Sequence, residues 1–245
     1  MNPRSFRLLI VITAALALLG TACGDDNKKD NKKREPKATV SSECKAPGVT
    51  PTGVEVAVVS SQSGAEPAGQ FRPFHLGVLA RFALENAGSG IDGRGLSAEV
   101  ADDGNTAERN LKLAKDLVES KRLYGLIEAS PSASASAKYL HDKGVPVVGL
   151  PITPEWDQYD NMFGYNTDGA DPLADWQALN PDLPEYAEFK DWLARTSEAE
   201  PPGKIALAGW LSADIFVRGL HEAGVECPLR RDFIEKLRDQ TKDGS

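Results

Sequence analysis

Apolar positions along this chain come in blocks whose period switches between strand and helix. Residues 54–60 (VEVAVVS) form an almost unbroken β-rich run. Residues 72–86 follow with Phe74, Leu76, Val78, Leu79, Phe82 and Ala83 apolar, the stripe of a helix. A short run at 96–101 predicts a second strand, and Leu111, Ala114, Leu117 and Val118 predict the inner face of a second helix. Asn105, with Glu108 three residues on, predicts a capping box at its start. The alternation continues with a strand at 124–128, a helix at 132–143, a strand at 145–150 and a fifth strand at 162–165. Strands apolar on both faces, alternating with amphipathic helices, predict an α/β fold: a parallel sheet with helices on both faces.

The rhythm breaks at 167–184 (TDGADPLADWQALNPDLP), which is Pro- and Asp-rich and reads as a loop or a splice between elements. Helices are expected again over 186–195, over 204–223 with Leu207, Leu211, Ile215 and Leu220 in register, and over 232–238 after Pro228. A polar tail closes the chain at 240–245, and no internal repeat is visible.

The amino terminus has a different pattern. Arg4 and Arg7 precede LLIVITAALALLGTAC (8–23), an apolar run short for a membrane span, and a charged tract follows at once. This resembles a bacterial lipoprotein signal, with Cys23 as the lipid-modified first residue of the mature chain. The family usually carries Leu three residues before the cysteine, where this chain has Gly20. An ordinary secretory signal cut near Ala22 and an uncleaved anchor are the other readings. The expected layout is a signal at 1–22, lipidated Cys23 with a charged tether at 23–48, and a folded body at 49–239. All of this describes an extracytoplasmic protein held at the cell membrane.

Charge narrows the partners. Residues 38–245 hold 20 basic and 32 acidic residues, net −12, with no basic stripe, so nucleic acid is not an expected partner. With Cys23 assigned to lipid, Cys44 and Cys227 remain as a pair in an oxidising compartment, either bridged as a disulfide or buried as two thiols. His75, His141 and His221 lack ligand spacing, so neither a metal nor another cofactor is expected. No Ser-His-Asp arrangement or phosphate loop appears, which argues against an enzyme.

The order of elements resembles lobe one of a type I periplasmic solute-binding protein, the kind serving branched-chain amino acid ABC transporters. The segments that carry the resemblance are VEVAVVSSQSG (54–64), QFRPFHLGV (70–78), IDGRGL (91–96), ADDGNTAERNLKLAKDLVE (101–119), LIEASPSASASAKYLHDKGVPVVG (126–149) and NMFGYN (161–166). After the break come FKDWLARTSEAEPPGKIALAGWLSADIFVRGLHEAG (189–224) and CPLRRDFIEKLRD (227–239). In the family a second α/β lobe is inserted after the segment matching NMFGYN. Here about a domain's worth of chain, on the order of 100–150 residues, is missing near 167–184.

Candidate binding residues follow. Ser130-Pro131-Ser132 marks a helix start at a strand end, where free N–H groups and the helix dipole favour a carboxylate. The resemblance implies that this position holds a ligand's α-carboxylate; plain capping is the other reading. It also implies that Pro151 and Thr153, after the fourth strand, meet the α-amino and carboxylate groups, and that Phe71 lies against the ligand side chain. A solvent-facing turn and a core aromatic are the alternatives. Asp102-Asp103 is assigned a structural role. The function implied is a lipid-anchored solute-binding protein for an amino acid or similar small polar ligand, delivering to an ABC permease. A single lobe lacks a closing wall, so binding is expected either to be weak or to require a second copy facing it as a homodimer. The alternative is a truncated surface-anchored interaction or sensory module without transport activity.

Overall fold

The computed structural model describes residues 44–65, 68–164, 184–197, 203–224 and 226–243. The expected signal, Cys23, the tether up to residue 43 and nearly all of the shortened segment at 167–184 lie outside the described residues. Five strands form one sheet: β1 (Gly53–Ser60), β2 (Gly95–Asp102), β3 (Leu126–Ala129), β4 (Val147–Gly149) and β5 (Met162–Gly164). All neighbours pair in parallel, in the order β2-β1-β3-β4-β5. The chain steps outward from β1 to β2 and then returns past β1 to β3. The topological switch point therefore lies between β1 and β3, where open α/β sheets place ligands beyond the carboxyl ends of the strands.

Because both faces are covered, the strands read as continuous apolar runs, and their alternate residues feed two cores. Val54, Val56, Val58, Ile127, Val148 and Phe163 belong to a cluster with α1 (Phe74–Ala87), α4 (Pro184–Thr196), α5 (Lys204–Glu222) and α6 (Arg230–Asp243). Ala57, Val59, Leu126, Val147 and Met162 belong to a second cluster with α2 (Ala107–Lys115), the π-helical turn that continues it (Asp116–Ser120), and α3 (Ser134–Asp142). The expected α/β class is thus the observed one.

Three boundaries differ from expectation. The cap of α2 is Thr106, whose hydroxyl accepts the Arg109 N–H at 3.4 Å. Asn105 instead takes a left-handed conformation (φ 54°), because its N–H turns back to the Asp103 carboxylate at 3.0 Å. α6 runs to Asp243, four residues into the expected tail. Residues 44–48, expected as the end of the tether, are part of the body: Ala46 is buried and Cys44 is bridged to Cys227, with Cα atoms 5.2 Å apart. By loop closure a bridge spanning 183 residues is worth about 4–5 kcal/mol. Fully buried Arg94 reinforces it, donating to the Thr50 carbonyl at 3.1 Å and the Glu226 carbonyl at 2.7 Å.

The closest helix packing is between α1 and α5. A methyl group at Gly77 would lie 1.7 Å from the Ala206 carbonyl oxygen, and one at Gly209 would lie 1.9 Å from that of Phe74. Only a residue without a side chain fits either position, so the helices meet backbone to backbone. Gly209→Ala is therefore expected to lower stability by at least about 1–3 kcal/mol in urea unfolding, the cost of overpacking. A loss within about 0.5 kcal/mol, the range of ordinary surface substitutions, would contradict this packing.

Candidate functional site

The sheet register sets the site. Ser60 pairs with Asp102 on one side and with Ala129 on the other, so the next residues, Ser61, Asp103 and Ser130, leave the sheet at one level. All three are buried, and their side chains converge. Ser61 donates to Asp103 Oδ1 at 2.7 Å, Ser130 donates to Oδ2, and the two hydroxyl oxygens lie 3.1 Å apart. The Asn105 N–H and the Asn110 side-chain amide, each at 3.0 Å, complete four donors to this carboxylate. A carboxylate removed from water requires such a set of donors.

Asp102 works in the same way at the rim. Burial pushes its carboxyl up, but hydrogen bonds from the Ser63 hydroxyl and the Gly104, Gln62 and Ser63 N–H groups outweigh this and hold it below its usual range. Together the two aspartates staple the loop after β2 to the loop after β1.

The five predicted binding residues do not form one cluster. Ser130 sits beneath the surface: its hydroxyl proton is committed to Asp103, and its oxygen accepts the Ser132 N–H at 2.9 Å. Ser132 is half-buried above it, with a long 3.3 Å bond to Asn105 Oδ1. Thr153 begins a 3-10 turn (Pro154–Asp157) whose Glu155 carboxylate accepts from the Ser134 hydroxyl at the start of α3. That bond lowers the Glu155 pKa, against a smaller opposing effect of burial, with Thr153 contributing least. Thr153 lies near Glu155 without hydrogen-bond geometry, so its hydroxyl oxygen is buried and unpaired. Pro151 packs on Gly164 and lines a cavity of about 260 Å³ beside β5, with Trp156, Tyr159, Met162, Phe163 and Arg238. Phe71 is only 6% exposed and belongs to the core on the α1 side.

Sequence reasoning missed Ser61, Asn110 and Glu128. Glu128 is buried on β3 and accepts from Asn110 at 2.8 Å. Burial pushes it up to about 7, the Asp103 charge adds to this, and the Asn110 bond opposes it. The available signal was an acid inside an otherwise apolar strand, LIEA. Among the described residues no group of His, Cys, Asp or Glu is arranged to hold a metal ion.

Comparisons fit this geometry. A family model for periplasmic binding proteins matches residues 53–178. No curated protein matches the chain. Among solved structures, a possible leucine/isoleucine/valine-binding protein from Rhodopirellula baltica SH 1 superimposes with a TM-score of 0.62 at 12% identity, covering 76% of this chain and 85% of that one. An ABC transporter substrate-binding protein from Desulfitobacterium hafniense in complex with Leu gives 0.59 at 14% identity, covering 77% and 89%. A fatty acid ABC transporter substrate-binding protein from Thermomonospora curvata gives 0.59 at 12% identity, covering 79% and 82%. Likeness at these identities is likeness of fold.

Removing the Ser130 hydroxyl takes one of the two donors from Asp103 Oδ2 and leaves the Ser132 N–H without its acceptor. Ser130→Ala is expected to cost about 1–3 kcal/mol in chemical denaturation, more than its exposed neighbour Ser134→Ala. Equal losses at the two positions would contradict the network.

Proposed function

The chain belongs to the periplasmic binding protein family, and we propose that it is a lipid-anchored solute-binding protein, capturing an amino acid or similar small polar ligand outside the cytoplasm for an ABC transporter. The observation that carries this reading is the level convergence of the loops after β1, β2 and β3 at the switch point of a parallel sheet. Three groups along the carboxyl edge of the sheet suit a zwitterion: at the switch point the Ser132 hydroxyl, held by one long bond, and on the separate loop after β4 the unpaired Thr153 hydroxyl and the Pro151 carbonyl. Ser130 serves from beneath, fixing the loop that presents Ser132. Leucine, bound by the Desulfitobacterium hafniense protein, sets the first ligand class to try.

Closure over the ligand needs a facing wall. Nineteen residues separate Gly164 from Pro184, too few for an α/β lobe of about 100 residues. A second copy of the chain supplies that wall in this reading. The same short separation favours the other reading, a surface-anchored interaction or sensory module that no longer serves transport.

Thermal unfolding of the full chain against millimolar leucine, isoleucine, valine, a fatty acid and small carboxylates separates the two readings. A ligand at a hundred times its Kd adds about 2.7 kcal/mol, a readily measured rise in Tm. A saturable rise with an aliphatic amino acid is expected. A folded protein indifferent to the whole panel would sink the capture reading and leave the module.

A further inference from the structure

The Asn110 side chain joins two buried acids that hydrogen-bonding economy would normally keep apart. Its amide donates one hydrogen to Asp103 at 3.0 Å and the other to Glu128 at 2.8 Å. Asp103 and Glu128 are 0% and 1% exposed. Asp103 is fully satisfied by four donors. Glu128 is not: its Oε2 is buried without a partner, and so is Asn110 Oδ1. A carboxylate with one oxygen unsatisfied, buried beside a second carboxylate, is favoured there as the neutral acid.

The surroundings of Glu128 supply no counter-charge. In the sheet its register partners are Val59 on β1 and Gly149 on β4. On α2 the buried residues are Asn110 and Ala114, while Arg109 and Lys112 are exposed. On α3 they are Ser136, Ala137 and Leu140. Among the described residues Asp103 is the charge whose field reaches it, and that field is repulsive.

We propose that Asp103 is the positioning residue of the serine-bearing loops, and that ionisation of Glu128, through the shared Asn110 amide, releases that positioning, so that the site tightens as pH falls. The proposal rests on the reading of those loops as the ligand-binding edge. With Glu128 neutral, the Asn110 amide serves both acids, and Asp103 holds Ser61, Asn105 and Ser130 in register. Ionised Glu128 draws the shared amide toward itself and repels Asp103. The loops it loosens are those that carry Ser130 and Ser132.

The sign follows from burial. Glu128 sits near 7 in the folded chain, against about 4.3 for an unfolded glutamate. Its contribution to stability is therefore complete below about 4.3 and lost as pH rises through 7. Within that window each pH unit lowers the folding equilibrium constant of the wild type, relative to Glu128→Gln, by up to about tenfold.

The test needs no ligand. The N–H groups of Asn105 and Ser132 donate to Asp103 and to Ser130, so their NMR shifts report the clamp directly. In the full chain both are expected to titrate between pH 5 and 8.5 with a common midpoint, and Glu128→Gln is expected to abolish that titration. Should Glu128→Gln not fold, the carboxyl carbon shift of Glu128 in the wild type must show the same midpoint as the two amides. Absence of the titration in the wild type, its survival in Glu128→Gln, or a carboxyl midpoint unlike that of the amides would each overturn the proposal. Isoleucine affinity at pH 5.5 and pH 8 then tests the coupling, with an expected tightening of about fivefold or more at the lower pH. Equal affinities would overturn the coupling. No isoleucine binding at either pH, with the amide titration intact, would instead sink the ligand reading and leave the clamp standing.

Discussion

A carboxylate that water cannot reach must be satisfied by the protein, and at Asp103 that requirement organises the carboxyl edge of the sheet. Its four donors come from four places in the sequence: the loop after β1, its own loop, α2 and the loop after β3. Losing any one leaves a buried charge short of a donor, so the segments are held together more firmly than their individual contacts would manage. Register makes this possible, because the strand ends are matched residue for residue at Ser60, Asp102 and Ala129.

The opposite edge of the sheet is fastened by different means. The Cys44–Cys227 bridge and Arg94 tie both ends of the folded body to the starts of β1 and β2. Arg230 adds bonds to the Tyr124 and Leu123 carbonyls, just ahead of β3, at 2.7 and 2.5 Å. Tyr124 stands edge-on to Phe216 and Phe233, which carries that fastening into the core beneath α5 and α6. A rigid lower edge and a backbone-to-backbone contact of α1 with α5 leave the upper loops as the part of the molecule with chemical freedom.

That division explains why fold and ligand are separate questions here. The structural neighbours share the sheet while their names run from leucine to fatty acid. Binding energy in such a fold comes from a few polar groups at the loop tips, which the sheet positions but does not choose. In this chain many donors at that edge already serve its own acids: Asp102, Asp103 and Glu155. In the proposed capture reading, what is left for a ligand is a short set: Ser132, Thr153 and Pro151.

The sequence by itself determined the class and the order of elements, because unbroken apolar runs follow from strands buried on both faces and period-3.6 stripes from helices buried on one. It showed the five strands and six α-helices of the described residues with modest errors at their ends, and it left Cys44 and Cys227 as an obvious pair. The resemblance to periplasmic binding proteins was legible in the same segments. The sequence did not determine which polar residues matter. Asp103 and Ser130 lie 27 positions apart, and Ser61 and Asp103 lie 42 apart. Only parallel pairing brings them to one level. Tertiary structure likewise decided that Phe71 is core, that Ser130 lies beneath the surface and that Glu128 loses its water, because the burial of a single loop or polar residue belongs to the packed whole and adds nothing to the periodic apolar pattern.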